Sequence, residues 1–310
     1  MSEKQRTNTI LMVRPANFGF NEETAQNNAF QDNDTELTKD EIVLKAIEEF
    51  DSMVNILREE GINIIVVQDT ASPVKTDAVF PNNWMSTHES GEVLWYPMFS
   101  QNRRFERRDD IWEMLSEDFQ VSKDTELLSF EPDKKYLEGT GSMILDRENR
   151  IAYACYSERT HPETLKEFGD KMNYRIVGFT ATDDDGLPYY HTNVIMALGK
   201  HIAIVCSESI EDETEKSEVI DALTRSGKEI VHISRQQVLA FAGNMLEVLG
   251  HENTPIMVMS TAAFHSLKDE QLNIIKNYNK IVHLPIGTIE KFGGGSVRCM
   301  MAEIFLPKRT

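Results

Sequence analysis

The chain has few cysteines, and they are not spaced for a disulfide framework or a zinc site. Only three of its 310 residues are cysteine, and no two of them form a Cys-x-x-Cys pair. Such usage is typical of a reducing compartment, so we expect a cytoplasmic protein without a structural metal.

Long apolar runs and positive charge are also scarce. The stretch Ile10–Val13 near the N-terminus is too short for a signal sequence or a membrane span. Lysine and arginine number 32 against 51 acidic residues, a net charge of -19, which disfavours nucleic acids and anionic membranes as partners. The basic run Arg103–Arg108 is interrupted by Glu106, so it does not predict a nucleic-acid surface.

A repeated unit dominates the rest of the sequence. Each copy has a short apolar strand, a polar or glycine turn and a returning strand, the pattern of a β-hairpin. The predicted hairpins are Asn82–Tyr96, Gly141–Cys155, Thr192–Cys206, Gly243–Met259 and Ser296–Leu306. Equivalent hairpins lie about 50–60 residues apart, a period typical of repeat architectures.

Helix-then-strand pairs fill the gaps between hairpins. The clearest helix begins near Thr38, which stands with Glu41 at capping-box spacing, and ends before Gly61. Further helices are predicted at Pro162–Met172, Glu213–Ser226 and Ala262–Tyr278. We therefore predict an α/β fold of about five ββαβ modules with a pseudo-five-fold arrangement, an α/β propeller, in a single domain over residues 1–310. The oligomeric state stays open, a homo-oligomer included.

Three residues at matching positions of this repeat suggest covalent chemistry. Cys299 follows the glycine run 293–295, whereas Cys155 and Cys206 lie in apolar strands and read as core residues. Glu138 precedes the second hairpin and His191 opens the third. If the module starts converge on the axis, the thiol, imidazole and carboxylate share one pocket and form a set suited to nucleophilic catalysis.

These residues belong to a longer series of motifs. The series comprises Arg14-Pro15, Asp77-Ala78-Val79-Phe80, Asn82-Asn83, Asn102-Arg103-Arg104, Glu138-Gly139, Ser157-Glu158-Arg159-Thr160, His191-Thr192-Asn193 and Cys299. In order and spacing it resembles the guanidino-group-modifying, or amidinotransferase, superfamily with the pentein fold, which includes arginine deiminase and dimethylarginine dimethylaminohydrolase.

The resemblance implies a role for each site residue. Cys299 would be the nucleophile, His191 the general acid and base, and Glu138 a supporting carboxylate. Asp77 would bind a substrate amino group, while Arg103 and Arg159 would bind a substrate carboxylate. Asn82 and Asn83 occupy the start of the first module and are expected at the substrate as well. The implied mechanism needs no cofactor, and the implied partner is a small amino acid.

Two positions depart from the deiminase pattern. Relatives that bind a guanidinium usually carry acids where this chain has Asn83 and Asn193. Neutral amides offer both donors and acceptors and suit a neutral ureido group, although both residues could instead cap turns. The chain thus looks closest to the citrulline-hydrolysing branch, known as citrulline ureidase or citrulline utilization hydrolase.

Several alternatives remain open at the level of the sequence. Arginine deiminase, dimethylarginine dimethylaminohydrolase and amidinotransferase activities are rivals within the enzyme class. A non-catalytic pentein that only binds a ligand is the rival from another class, because a fold does not fix a function. Residues 18–33 lack periodicity and are expected to form either a lid over the pocket or a connector.

Overall fold

Five three-stranded sheets organise the computed structural model, which describes residues 3–309. Its strands are β1 (Thr9–Arg14), β2 (Asn63–Gln68), β3 (Met85–Thr87), β4 (Glu92–Trp95), β5 (Lys123–Glu126), β6 (Ile144–Asp146), β7 (Ile151–Cys155), β8 (Arg175–Phe179), β9 (Met196–Leu198), β10 (Ile202–Val205), β11 (Glu229–His232), β12 (Leu246–Leu249), β13 (Pro255–Ser260), β14 (Lys280–Leu284) and β15 (Ala302–Glu303).

Helices connect or precede these strands. The α-helices are α1 (Lys39–Glu59), α2 (Asp109–Asp118), α3 (Gly139–Ser142), α4 (Pro162–Met172), α5 (Thr192–Ile195), α6 (Glu213–Arg225), α7 (Arg235–Val238), α8 (Thr261–Ser266), α9 (Asp269–Tyr278) and α10 (Gly287–Gly293). Short 3-10 helices lie at Pro81–Asn83, Asn102–Glu106, Leu128–Phe130, Ser207–Ser209 and His251–Asn253.

Four of the five sheets begin with a hairpin of consecutive strands and share one topology. An antiparallel hairpin such as β3–β4 is followed by a helix and then by a strand that pairs in parallel with the second hairpin strand, as β5 does with β4. The same pattern recurs in β6-β7-β8, β9-β10-β11 and β12-β13-β14. A helical crossover is what a parallel connection requires, so the predicted ββαβ modules and their number are confirmed.

The fifth sheet is built from both ends of the chain. Strand β15 pairs antiparallel with β1, with Ile10 opposite Glu303, and β1 pairs in parallel with β2. The predicted hairpin Ser296–Leu306 is therefore wrong, because residues 297–300 form a turn and β15 finds its partner near the N-terminus. This closure completes the ring of modules.

The modules begin with helical turns rather than with strands. Pro81–Asn83, α3 and α5 occupy positions that the sequence pattern predicted as the first residues of strands. A close backbone approach explains the difference. Gly139 has φ +49°, and a Cβ there would come closer than 3.0 Å to the carbonyl oxygen of Asn82. Only glycine accommodates both conditions, and the turns consequently meet at the axis.

Hydrogen bonds link these turns from one module to the next. They are Asn82 Nδ2 to Thr140 Oγ1 (3.3 Å), Thr192 Oγ1 to the Ser142 carbonyl (2.6 Å), Asn244 Nδ2 to the Asn193 carbonyl (2.8 Å) and the Arg298 amide to Asn244 Oδ1 (2.9 Å). Thr87 completes the circle: its hydroxyl donates to the Glu303 carbonyl and accepts from the Phe305 amide. We call this set the axial ring.

Helix α1 shows how well local signals predict an element. Thr38 and Glu41 form the capping box, and Gly61 takes φ +86° after the helix ends. One face of the helix packs Phe50, Leu57 and their neighbours into the core.

The predicted helix Ala262–Tyr278, in contrast, is split into α8 and α9. Among residues 3–309 no helix combines the length and apolar character needed to cross a membrane.

The close contact between the third and fourth modules can be tested at Gly243. A Cβ on this residue would lie closer than 3.0 Å to the Val194 oxygen and the Ile195 carbonyl carbon, and backbone cannot move aside cheaply. We expect Gly243→Ala to lower the free energy of unfolding by about 1–3 kcal/mol or more, measured by urea denaturation. Gly287→Ala is the matched control, since nothing lies within 4 Å of its Cβ position. Equal stability of the two variants would contradict this packing.

Candidate active site

The axial ends of the modules bring the predicted catalytic residues together. Cys299 lies in the turn between α10 and β15, His191 immediately precedes α5, and Glu138 immediately precedes α3. They are 3%, 2% and 0% exposed, respectively. Cys299 and His191 line one cavity, whose walls comprise Asn28, Asp77, Phe80, Asn83, Arg103, Arg159, Tyr190, His191, Gly293, Gly294, Gly295 and Cys299.

His191 and Glu138 form a buried pair. His191 Nε2 lies 2.8 Å from Glu138 Oε2, and the other carboxylate oxygen accepts from the Phe99 amide at 2.9 Å. Burial raises the pKa of Glu138, but the charge of Arg159 and the contact with His191 outweigh it and bring the pKa to about 2. Burial lowers the pKa of His191 to about 4, despite Glu138. At neutral pH the imidazole is therefore neutral, with Nε2–H donating to the carboxylate and Nδ1 left as an acceptor.

Two side-chain amides surround the sulfur of Cys299. Nδ2 of Asn193 and Nδ2 of Asn244 each lie 3.3 Å from Sγ. The sequence reasoning singled out Asn193 but missed Asn244. A signal was available, because Asn244 follows Gly243 at the start of the fourth hairpin, the position that Asn193 occupies in the third.

Asn83 and Asn193 each keep one uncommitted amide atom. Asn83 Oδ1 accepts from Arg103 Nη1 at 2.8 Å, while its buried Nδ2 has no hydrogen-bond partner among residues 3–309. Asn193 Oδ1 is likewise buried and without a partner in the described chain. Asn83 thus offers one free amide donor in the cavity wall, whereas the free acceptor belongs to Asn193, which lies outside the wall but contacts Cys299.

Arg103 is committed to the protein rather than free for a ligand. Its Nε and Nη2 each lie 2.9 Å from the Glu106 carboxylate, a bidentate pair, and its Nη2 also donates to the Phe80 carbonyl. Together with its bond to Asn83, these contacts orient the Asn83 amide so that Nδ2 is the atom left free.

Arg159 is only partly committed. Nε donates to Asn27 Oδ1 and Nη2 to the Thr24 carbonyl, both at 2.9 Å. Nη1 lies 3.6 Å from Glu138 Oε2 and hydrogen-bonds no other residue that the structure describes. The guanidinium also lies over the Tyr190 ring, 4.8 Å from its centroid. Of the two predicted carboxylate-binding arginines, Arg159 is the one with a free donor.

Asp77 lies in the cavity wall, whereas Asn82 does not. Asp77 Oδ2 accepts from Asn21 Nδ2 at 2.9 Å and Thr24 Oγ1 at 3.2 Å, and Oδ1 has no hydrogen-bond partner within 3–309. Burial raises the pKa of this carboxyl, and the nearby Arg103 charge opposes the rise. Asn82 instead donates to Thr140 in the axial ring.

Residues 18–33, the covering segment, close the cavity. The segment has no helix or strand. Asn28 Nδ2 donates to the Gly294 carbonyl at 3.3 Å, and Gln31 Nε2 donates to the Gly293 carbonyl at 3.0 Å. The cavity that remains has a volume of about 10 Å³, room for about one water molecule. A ligand larger than a water molecule can enter this cavity only after the segment moves.

A second, larger cavity adjoins the first. It has a volume of about 600 Å³ and shares Asn28, Arg159 and Tyr190 with the catalytic cavity. Its other walls come from the covering segment, the loop before His191, Ser157, Glu158 and Leu239. Movement of the shared residues would join the two spaces, which gives a substrate a path to Cys299.

The low pKa of His191 predicts a pH dependence of stability. The unfolded imidazole takes up a proton below its ordinary pKa of 6.5, whereas the folded one stays neutral down to about 4. The unfolded state therefore binds more protons in this window, and the free energy of unfolding falls as pH drops from 6.5 to 4, by roughly 3 kcal/mol from this residue.

The measurement is urea denaturation at pH 4 to 7. We expect His191→Gln to flatten the dependence in part, because the buried His88, whose pKa also lies well below its ordinary value, contributes in the same direction. His201→Gln, at an exposed position, is the control. A His191→Gln profile parallel to that of the unmodified protein would argue against a neutral buried imidazole.

Comparison with known proteins identifies the family and supports the fold. A family profile described as N,N dimethylarginine dimethylhydrolase, eukaryotic, matches residues 14–306. A search of curated protein sequences finds no match.

Solved structures share the architecture at low sequence identity. One is unliganded ArgZ, an arginine dihydrolase of the ornithine-ammonia cycle in cyanobacteria, with TM-score 0.73 and 17% identity over 95% of this chain but 40% of ArgZ. The product-bound N-terminal domain of ArgZ gives TM-score 0.74 and 17% identity over 96% of this chain and 99% of that domain.

A dimethylarginine dimethylaminohydrolase variant carrying an S-methyl-L-thiocitrulline adduct gives TM-score 0.65 and 15% identity, over 97% of this chain and 99% of that one. These similarities confirm the predicted pentein fold, and the profile match establishes the family. The chain belongs to the N,N-dimethylarginine dimethylhydrolase family of the pentein-fold amidinotransferase superfamily and is a hydrolase of amidine-type C–N bonds.

Proposed function

We propose that the enzyme hydrolyses citrulline to ornithine, ammonia and carbon dioxide through a covalent intermediate on Cys299. The observation that carries this proposal is the pair of uncommitted amide atoms near the nucleophile, Asn83 Nδ2 and Asn193 Oδ1. They form a donor and an acceptor, both buried and both without a partner among the described residues.

This pair matches a ureido group. The ureido oxygen accepts a hydrogen bond from Asn83 Nδ2, and a ureido N–H donates to Asn193 Oδ1. A guanidinium has only donors, so it would leave the Asn83 N–H facing another N–H. Buried polar groups left unpaired cost about 1–3 kcal/mol each, more when a charge is involved.

The charges of the cavity favour the same choice. Its charged wall residues are Asp77, Arg103 and Arg159, two cations and one anion. Glu138 carries a negative charge nearby, but its oxygens already accept from His191 and the Phe99 amide. A cationic side chain would add a third positive charge to a wall whose one carboxylate is Asp77, and an unpaired buried cation is strongly unfavourable.

The ends of a free amino acid find partners as well. Asp77 Oδ1 can accept from an α-ammonium group, and Arg159 Nη1 can donate to an α-carboxylate. The covering segment already forms hydrogen bonds with both of these residues. Asn21 and Thr24 donate to Asp77, and Asn27 accepts from Arg159. Substrate binding must therefore be coupled to movement of this segment.

The chemistry follows from these positions. His191 Nδ1 takes the proton of the Cys299 thiol, and the resulting thiolate attacks the ureido carbon. The protonated imidazole returns that proton to the departing nitrogen, which leaves as ammonia, so the remaining thiocarbamate retains the ornithine portion. His191 then takes a proton from water, which displaces the thiolate. The released carbamate decomposes to ornithine and carbon dioxide. Glu138 holds the imidazole in the required tautomer through its contact with Nε2.

Arginine is the second candidate. The specific observation in its favour is structural similarity to ArgZ, which is an arginine dihydrolase. The dimethylated arginine named by the family profile belongs to the same cationic class. Both would need a carboxylate to pair with the cation, and Asp77 is the carboxylate in the cavity wall.

Kinetic assays with citrulline and with arginine distinguish the two candidate functions. We expect kcat/KM for citrulline to exceed that for arginine by at least about a hundredfold, because the site pairs with the ureido group and leaves the guanidinium unpaired. Ammonia release from each substrate, measured at the same pH with citrulline and ornithine identified as products, provides both values. Asn83→Asp combined with Asn193→Asp should narrow the ratio. More efficient turnover of arginine by the unmodified enzyme would refute the ureido assignment.

A further inference from the structure

We infer that Asn244 is a further catalytic residue, which stabilises the Cys299 thiolate by donating a hydrogen bond to its sulfur. Nδ2 of Asn244 lies 3.3 Å from Sγ, and the side chain is fully buried. A thiolate accepts such a bond far more strongly than a neutral thiol does, since charge-assisted hydrogen bonds are about twice as strong as neutral ones.

The orientation of the Asn244 amide is fixed by its other contacts. Oδ1 accepts from the Arg298 backbone amide at 2.9 Å, so this end of the group must be the oxygen. Nδ2 donates to the Asn193 carbonyl at 2.8 Å. A primary amide nitrogen carries two hydrogens, and the second is left for the sulfur.

The Asn193 amide approaches the same sulfur at the same distance of 3.3 Å. Two donors thus converge on Cys299, while no carboxylate oxygen forms a hydrogen bond with Sγ in the described part of the chain. This arrangement compensates an anionic sulfur for the water that burial removes. It prepares the nucleophile before any substrate binds.

Asn193 and Asn244 therefore have different roles at the sulfur. Asn193 contacts the sulfur and also keeps Oδ1 free for a ligand. Asn244 does not line the catalytic cavity, and both ends of its amide are already used within the protein. Its contribution to catalysis therefore acts on the sulfur alone and is the same for any ureido or guanidino substrate.

A purely structural role for Asn244 predicts a different outcome. The residue also joins the third, fourth and fifth modules in the axial ring. If that were its whole function, Asn244→Ala would loosen the site and leave Cys299 as reactive as before, or more so. If Asn244 stabilises the thiolate, the same variant makes Cys299 less reactive although the site is looser.

The experiment measures iodoacetamide alkylation of Cys299 without substrate at pH 7, followed by mass spectrometry of the peptide that contains it. We expect Asn244→Ala to slow alkylation about tenfold or more. Asn244→Asp should slow it further, because a second anion would face the sulfur. Asn279→Ala is the control: this buried asparagine of the fourth module donates to Glu247 and lies outside the cavity wall.

Steady-state kinetics complete the test. Asn244→Ala should lower kcat by a factor similar to the loss in alkylation rate, with KM changed less than threefold. Unchanged or faster alkylation in a folded Asn244→Ala protein would overturn the inference. Because alkylation needs no substrate, this result is independent of whether citrulline or arginine is preferred.

Discussion

The axial ring of hydrogen bonds is the constraint on which the site depends. It holds the first turns of successive modules close enough for residues far apart in sequence to touch. Asn244 reaches both the Asn193 carbonyl and the Arg298 amide, so it sets the distance between the turns that carry His191 and Cys299. Catalytic geometry is therefore a property of module packing, and a change in the ring alters both stability and chemistry.

Burial determines how the same site behaves electrostatically. With Cys299 and His191 nearly inaccessible, each charge must be balanced by a nearby group rather than by water. Glu138 stays ionised through Arg159 and His191, and the imidazole stays neutral. What remains beside Cys299 is a pair of side-chain amides, and the proposed preference for a neutral substrate group rests on this amide environment. The covering segment closes the cavity, so the proposed turnover requires it to move.

The sequence predicts the parts of this structure that local signals determine. Capping and periodicity locate α1, and the repeat predicts five modules and the shared position of Cys299 and His191. The strands predicted at the module starts were wrong, because helical turns of three or four residues are too short to show a periodicity in the sequence. The pairing of β15 with β1 joins the two ends of the chain. A local sequence pattern cannot predict it, because the two strands are far apart in sequence. The role of Asn244 depends on a sulfur 55 residues away.

The most direct test of the account is the identity of the covalent intermediate. Enzyme mixed with citrulline that carries a labelled ureido carbon should be quenched in acid within milliseconds and examined by mass spectrometry. The account predicts a labelled thiocarbamate on the Cys299 peptide that retains the ornithine portion and is absent from Cys299→Ser. Label on another residue, or ornithine formed by Cys299→Ser at the unmodified rate, would contradict it.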